Sequence, residues 1–109
     1  DVTFWAIWDG ASLLGCGALK ELDARHGEVK SMHTVQVRRR SGVGTLMLNH
    51  IVQEARRRRY VRLSLETGSI AGFAPARALY ARCGFEPCAP FGDYQPDPNS
   101  VFMTLSLVQ

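Results

Sequence analysis

Apolar and polar positions change rhythm several times along this chain. Residues 2–8 (VTFWAIW) are mostly β-branched or aromatic, the types that pack well on a pleated surface, and Asp9-Gly10 then supplies a turn dipeptide. A second apolar run follows at residues 12–19, and the two runs predict a hairpin. Residues 22–27 read as a second, polar connection and residues 28–37 as a third strand, which makes an antiparallel meander. From residue 42 to residue 59 the texture changes: Val43, Leu46, Met47, Ile51 and Ala55 recur at steps of three and four, the spacing of one helix face. Leu48 and Val52 widen that stripe, so the helix packs broadly on a sheet. Residues 61–66 alternate with a period of two, as a strand does. Pro75 suits the first turn of a short second helix that Gly84 ends. Residues 85–91 and 101–108 are the last two strands, with a turn-rich loop at residues 92–99 between them.

The predicted order is therefore β-β-β-α-β-α-β-β. A strand, a helix and a strand in succession require a right-handed crossover between parallel neighbours, here the third and fourth strands. The fold class is α/β: a mixed, mostly antiparallel sheet with one parallel pair and flanking helices. With 109 residues, 46% hydrophobic and 21% charged, the composition is that of one globular domain over residues 1–109, and excludes a disordered tail or a collagen-like repeat. No apolar run reaches the roughly 18–20 residues of a membrane helix. Cys16, Cys83 and Cys88 form no CxxC pair and match no zinc spacing, which predicts reduced thiols, no metal centre and a cytoplasmic protein. The chain starts at Asp1 without a methionine, as a trimmed or incomplete version of a longer protein would.

Charge adds a second layer. The net charge is +3, and seven of the arginines fall in two runs, Arg38-Arg39-Arg40 and Arg56-Arg57-Arg58-Arg59. Such clusters attract polyanions: nucleic acid, an acidic surface or the phosphates of a cofactor. The first run leads into Arg39-Arg40-Ser41-Gly42-Val43-Gly44-Thr45, between a predicted strand and the long helix. Glycines at a helix start let a ligand approach the backbone, and the free N–H groups of the first turn favour an anion. A Walker loop would need Gly-Lys-Ser/Thr where Gly44-Thr45-Leu46 stands, and a Rossmann fingerprint needs a third glycine in register. Neither nucleotide-binding reading fits.

Arg-x-x-Gly-x-Gly at Arg39, Gly42 and Gly44 resembles the acyl-CoA-binding motif of the GNAT acetyltransferase superfamily. Residues 76–85, ARALYARCGF, are similar to that superfamily's A-x-x-L-Y-x-x-x-G-F signature, and the order of strands matches across nearly the whole chain. The resemblance implies that the third and fourth strands splay apart to admit a thioester. It also implies a strand and two helices ahead of residue 2 that lie outside this sequence. Acetyl-CoA is the implied co-substrate. Backbone N–H groups of Arg40, Ser41, Gly42, Val43, Gly44 and Thr45 would hold its pyrophosphate, with charge from Arg39 or Arg40. Backbone at His33 and Thr34 would pair with the pantetheine arm. The superfamily commonly has Asn where Phe73 stands.

The implied activity is N-acetyl transfer to a small-molecule or peptide amine by direct attack in a ternary complex. Tyr80 matches the tyrosine that protonates the departing thiolate in related enzymes. Glu28, early in the third strand, sits where some relatives keep a glutamate base, and Glu66 is the competing carboxylate. Asp93, Tyr94 and Asp97 could attract a cationic acceptor or simply form turns. His50, Cys83 and Cys88 read as packed side chains, and Arg56 to Arg59 as a solvated helix end. Two alternatives stand beside the enzyme: a non-catalytic acyl-CoA-binding domain on the same fold, and an arginine-rich nucleic-acid binder. The second is disfavoured, because only Tyr60 adjoins an arginine cluster and no helix-turn-helix or RNP signature is present. No membrane partner is expected, and an exposed edge at residues 2–8 would invite pairing with a second copy.

Overall fold

The computed structural model describes residues 1–35 and 42–108. The elements follow the predicted order: β1 (Val2–Asp9), β2 (Ser12–Asp23), β3 (His26–Thr34), α1 (Val43–Arg57), β4 (Arg62–Gly68), α2 (Ala74–Arg82), β5 (Glu86–Cys88) and β6 (Ser100–Ser106). A single 3-10 turn, Ala71–Phe73, leads into α2. The strands form one sheet in the order β1-β2-β3-β4-β6-β5, antiparallel throughout except for the parallel pair β3 and β4.

The last strand ends at Ser106 and not at residue 108, and three further boundaries differ from the sequence reading, each for a local reason. The predicted connection at residues 22–27 shrinks to a tight turn, because the Asp23 carboxylate accepts the Arg25 backbone N–H at 2.8 Å and lets β2 and β3 pair almost to the tip. The predicted strand at residues 85–91 pairs over only three residues, Glu86–Cys88. Two prolines flank Cys88, and Phe91 turns inward against Phe102 and His26. Helix α1 ends at Arg57, with Arg59 in the left-handed conformation.

Both helices cover one face of the sheet. Leu19, Val29, Leu63, Leu65 and Met103 point toward Met47, Leu48, Ile51, Val52 and Ala55 of α1 and form one core with Tyr80 and Phe85. A glycine on β2 lets α1 lie close, and one on β3 makes room for Tyr60 beyond the end of that helix. A Cβ at Gly17 would sit 2.9 Å from Ile51 and Met47, and one at Gly27 would meet the Tyr60 ring at 2.8 Å. The opposite face carries His26, Glu28, Ser64, Glu66, Phe102 and Thr104, with residues 89–99 folded partly over it.

Candidate active site

The parallel pair is incomplete. β3 and β4 are bonded only from His26↔Arg62 to Val29↔Leu65, yet β3 continues to Thr34 and β4 to Gly68. The cause lies on the other side of β3. Its register with β2 steps from Ala18↔Lys30 to Cys16↔His33, so three steps of β3 oppose two of β2. The extra residue is Ser31, held at φ 58°, and a bulge of this kind bends its strand. The bend carries β3 away from β4 just past the last pair. A cleft of about 460 Å³ opens there, walled by Lys30 and Met32 from β3, Glu66 and Gly68 from β4, Phe73 and Tyr80 from the α2 side, and Asn99 and Ser100.

Helix α1 starts beside the end of β3. Its N-cap, Gly42, has φ 88°, a left-handed conformation that favours glycine, and the first turn has no side-chain cap. The early N–H groups of α1 are thus not bonded by a local side chain, the arrangement that favours an anion. A Cβ at Gly42 would point into open space, and one at Gly44 would touch Leu79 of α2 at 3.0 Å and Thr34 at 3.7 Å. Of the residues expected to hold acetyl-CoA, His33, Thr34, Gly42, Val43, Gly44 and Thr45 come together here. Arg39, Arg40 and Ser41 lie outside the described residues. Bare helix-start backbone next to an unpaired strand edge fits a phosphate followed by an extended amide-bearing arm.

The α2 signature explains itself in three dimensions. Gly84, at φ 97°, ends the helix; its N–H bonds the Ala81 carbonyl at 3.0 Å and the Phe85 N–H bonds the Tyr80 carbonyl at 3.0 Å. These are the paired bonds of a Schellman cap, and the rings of Tyr80 and Phe85 meet edge to face with centroids 6.0 Å apart. The Gly-Phe that follows the tyrosine therefore fixes the tyrosine. Tyr80 is buried and lines the cleft, and burial raises its phenol above the ordinary value. A phenol so placed stays protonated through neutral pH and suits proton donation. Upstream, Arg77 donates to the carbonyls of Gly68 at 2.6 Å and Ile70 at 3.0 Å, tying the end of β4 to α2. Gly68 leaves the room that the Phe73 ring occupies.

The two candidate carboxylates occupy different settings. Glu66 stands in the cleft wall and accepts the Ser100 hydroxyl at 2.7 Å. Glu28 is only 3% exposed; the Tyr94 hydroxyl donates to its Oε2 at 2.6 Å, and the Lys30 ammonium lies 3.7 Å from the same oxygen. Burial, then this bond and the charges of Glu28 and Glu66, push the Tyr94 phenol well up. Phe91, Tyr94 and Phe102 pack edge to face around the contact. Asp97 serves the turn, accepting the Asn99 N–H at 2.8 Å. Asp93 is exposed and outside the cleft wall.

The remaining candidates have structural partners. His50 packs edge on against Trp5. Burial raises the thiols of Cys83 and Cys88, which keeps them protonated and poorly nucleophilic. Arg56 donates to the Leu107 carbonyl, Arg57 and Arg58 to Glu54, and Arg58 also to Thr3 while lying over the Trp5 ring. Those two arginines hold the Glu54 carboxyl down to about 2. Three of the four arginines in the second run are therefore engaged within the fold, which removes the main support for nucleic-acid binding. Sequence reasoning missed one half-buried network: His26 Nε2 lies 2.7 Å from the Ser64 hydroxyl, which lies 2.9 Å from that of Thr104. Only the register, which stacks β3, β4 and β6 at this level, could have revealed it. Among the described residues no group of three or more His, Cys, Asp or Glu is placed to hold a metal ion, and no helix is long and apolar enough to cross a membrane.

Comparison with known proteins places this geometry. The acetyltransferase (GNAT) family model matches residues 1–85. A Bacillus subtilis protein called "Uncharacterized N-acetyltransferase YsnE" is 60% identical over 107 residues, which are 98% of this chain and 71% of that protein. An Escherichia coli protein called "Uncharacterized N-acetyltransferase YedL" is 52% identical, over 99% of this chain and 68% of its own length. A crystal structure from Klebsiella pneumoniae, described as a candidate acyl-CoA N-acyltransferase, superposes with a TM-score of 0.90 at 35% identity, covering 98% of this chain and 73% of its own. An Elizabethkingia anophelis acetyltransferase of the GNAT family, solved with acetyl-CoA bound, shares the fold with a TM-score of 0.80 at 17% identity, covering 95% of this chain and 75% of its own.

Proposed function

The chain belongs to the acetyltransferase (GNAT) family, and from that premise we propose that it is an acetyl-CoA-dependent N-acetyltransferase working by direct transfer to a primary amine within one domain, residues 1–109. The observation that carries the reading is the placement of Tyr80 in the wall of the opening between β3 and β4. Backbone N–H groups of residues 42–45, with Arg39, Arg40 and Ser41 ahead of them, hold the pyrophosphate. The backbone of His33 and Thr34 pairs with the pantetheine arm on the edge that β4 leaves vacant. When bound, acetyl-CoA supplies an activated acetyl thioester.

Tyr80, protonated and fixed by the α2 cap, donates its proton to the departing thiolate. Proton removal from the acceptor ammonium falls to a carboxylate on the far face. Glu28 is the sequence-based candidate, but its enclosure and its bond to Tyr94 support a role in fastening residues 89–99. Glu66, in the cleft wall, is the better placed acceptor and is our assignment.

The test follows thiol release and the mass of the acetylated amine. Tyr80→Phe should lower kcat by about 100-fold, the usual worth of a general acid, with the KM for acetyl-CoA nearly unchanged. Glu66→Gln should lower kcat at neutral pH, whereas Glu28→Gln should act mainly on melting temperature. Full activity in Tyr80→Phe would sink the acid assignment. Acetyl-CoA binding without turnover of any amine would favour the non-catalytic binding domain.

A further inference from the structure

The two lips of the split carry opposite charge. Val29↔Leu65 is the last bonded pair of β3 and β4, so Lys30 and Glu66 are the first residues past it on their strands. Both continue the alternation of Glu28 and Ser64, which places them on the same face, away from α1. Both line the cleft, and the other polar side chains of its wall are uncharged: Ser31, Thr67, Tyr80, Asn99 and Ser100. The Lys30 side chain is 37% exposed, and its ammonium lies 3.7 Å from Glu28, beyond hydrogen-bond length, which leaves its three donors open to a ligand. The same Glu28 oxygen already takes the Tyr94 hydroxyl. A cleft built only to collect cationic amines gains nothing from a lysine at its lip, since like charges repel.

Resting on the acetyltransferase reading above, we propose that the acceptor is an amino acid with a free carboxylate. Its ammonium is received by Glu66 and its carboxylate by Lys30. The amine loses a proton to Glu66 and its nitrogen forms a bond to the acetyl carbonyl carbon. The carbon–sulfur bond breaks, the sulfur takes the Tyr80 proton, and the second nitrogen proton, released as the amide forms, restores the Tyr80 phenol. The amide product carries no ammonium, so it keeps only its attraction to Lys30 and leaves more readily than the substrate.

The experiment measures acetyl transfer to a panel of amino acids, their carboxamides and the matching amines without a carboxylate, in wild type, Lys30→Met and Lys30→Glu. Wild type should show kcat/KM at least about tenfold higher for the acids than for amides or amines. Lys30→Met should collapse that ratio, and Lys30→Glu should invert it in favour of the amines. A gain for amines in Lys30→Glu cannot come from misfolding. Wild type that acetylates amines as well as acids, or a ratio unmoved in both variants, overturns the proposal and leaves the acetyltransferase reading standing. A wild type that fails to bind acetyl-CoA overturns both.

Discussion

At the scale of single residues, two helices end in the same way with different amino acids. Helix α2 ends on Gly84 at φ 97°, and α1 ends on Arg59 at φ 66°. In α1 the Arg59 N–H bonds the Arg56 carbonyl at 2.9 Å and the Tyr60 N–H bonds the Ala55 carbonyl at 3.1 Å, the same paired pattern as in α2. A side chain in the left-handed region costs about 1 kcal/mol, which glycine avoids. Arg59→Gly should therefore raise the melting temperature by roughly 4 °C or more for a chain this size, read by calorimetry. An unchanged or lower value would mean that the exposed Arg59 side chain contributes more than its backbone strain costs. Gly84 announced its turn in the sequence because glycine at a helix end has one common use. Ser31 gave no such sign, since serine fits a regular strand face equally well, and the bulge it forms is visible only once the β2–β3 register is known. Tyr80 was legible for a similar reason: its Gly-Phe companions are the cap that holds it.

At the scale of elements, periodicity predicted α1 and β4, residue types and turn signals the other strands and α2, and two of the misplaced boundaries were decided by single contacts. The Asp23 turn lengthened β2, and the inward Phe91 shortened β5. The second arginine run read as a solvated helix end because, beside Glu54 on the same helix, its partners are Thr3 of β1 and the Leu107 carbonyl just past β6, which the sequence does not place beside it. Three strands meet in the His26–Ser64–Thr104 network. Burial holds the His26 imidazole below its ordinary 6.5, so the unfolded chain binds the proton more readily than the folded one. The stability from this contact is complete above pH about 6.5 and declines as the pH falls below it. Melting temperature should accordingly drop between pH 7.5 and 5, a range above the acid titration of Glu54, and His26→Gln should flatten that drop. An equal pH dependence in the variant would assign the effect elsewhere.

At the scale of the whole molecule, one irregularity organises the rest. A bulge at Ser31 turns β3 away from β4, and the opening joins the helix-covered face, where α1 begins, to the far face, where Glu28, Glu66 and Tyr94 gather. The chain order made the parallel pair predictable, and the family resemblance supplied the expectation that it splays. Why it splays, and which carboxylate the opening reaches, required the register and the burial of each side chain. On this reading the start of α1 binds the phosphates of acetyl-CoA. Calorimetric titration of acetyl-CoA into wild type, Gly42→Asn and Gly42→Asp tests it most directly. Asn and Asp tolerate the left-handed backbone of Gly42, and a negative charge there favours the helix itself, so neither variant should unfold. Wild type should bind, and the affinity should be at least about tenfold weaker in Gly42→Asp than in Gly42→Asn. Equal affinity in the two variants, or no binding by folded wild type, would contradict it.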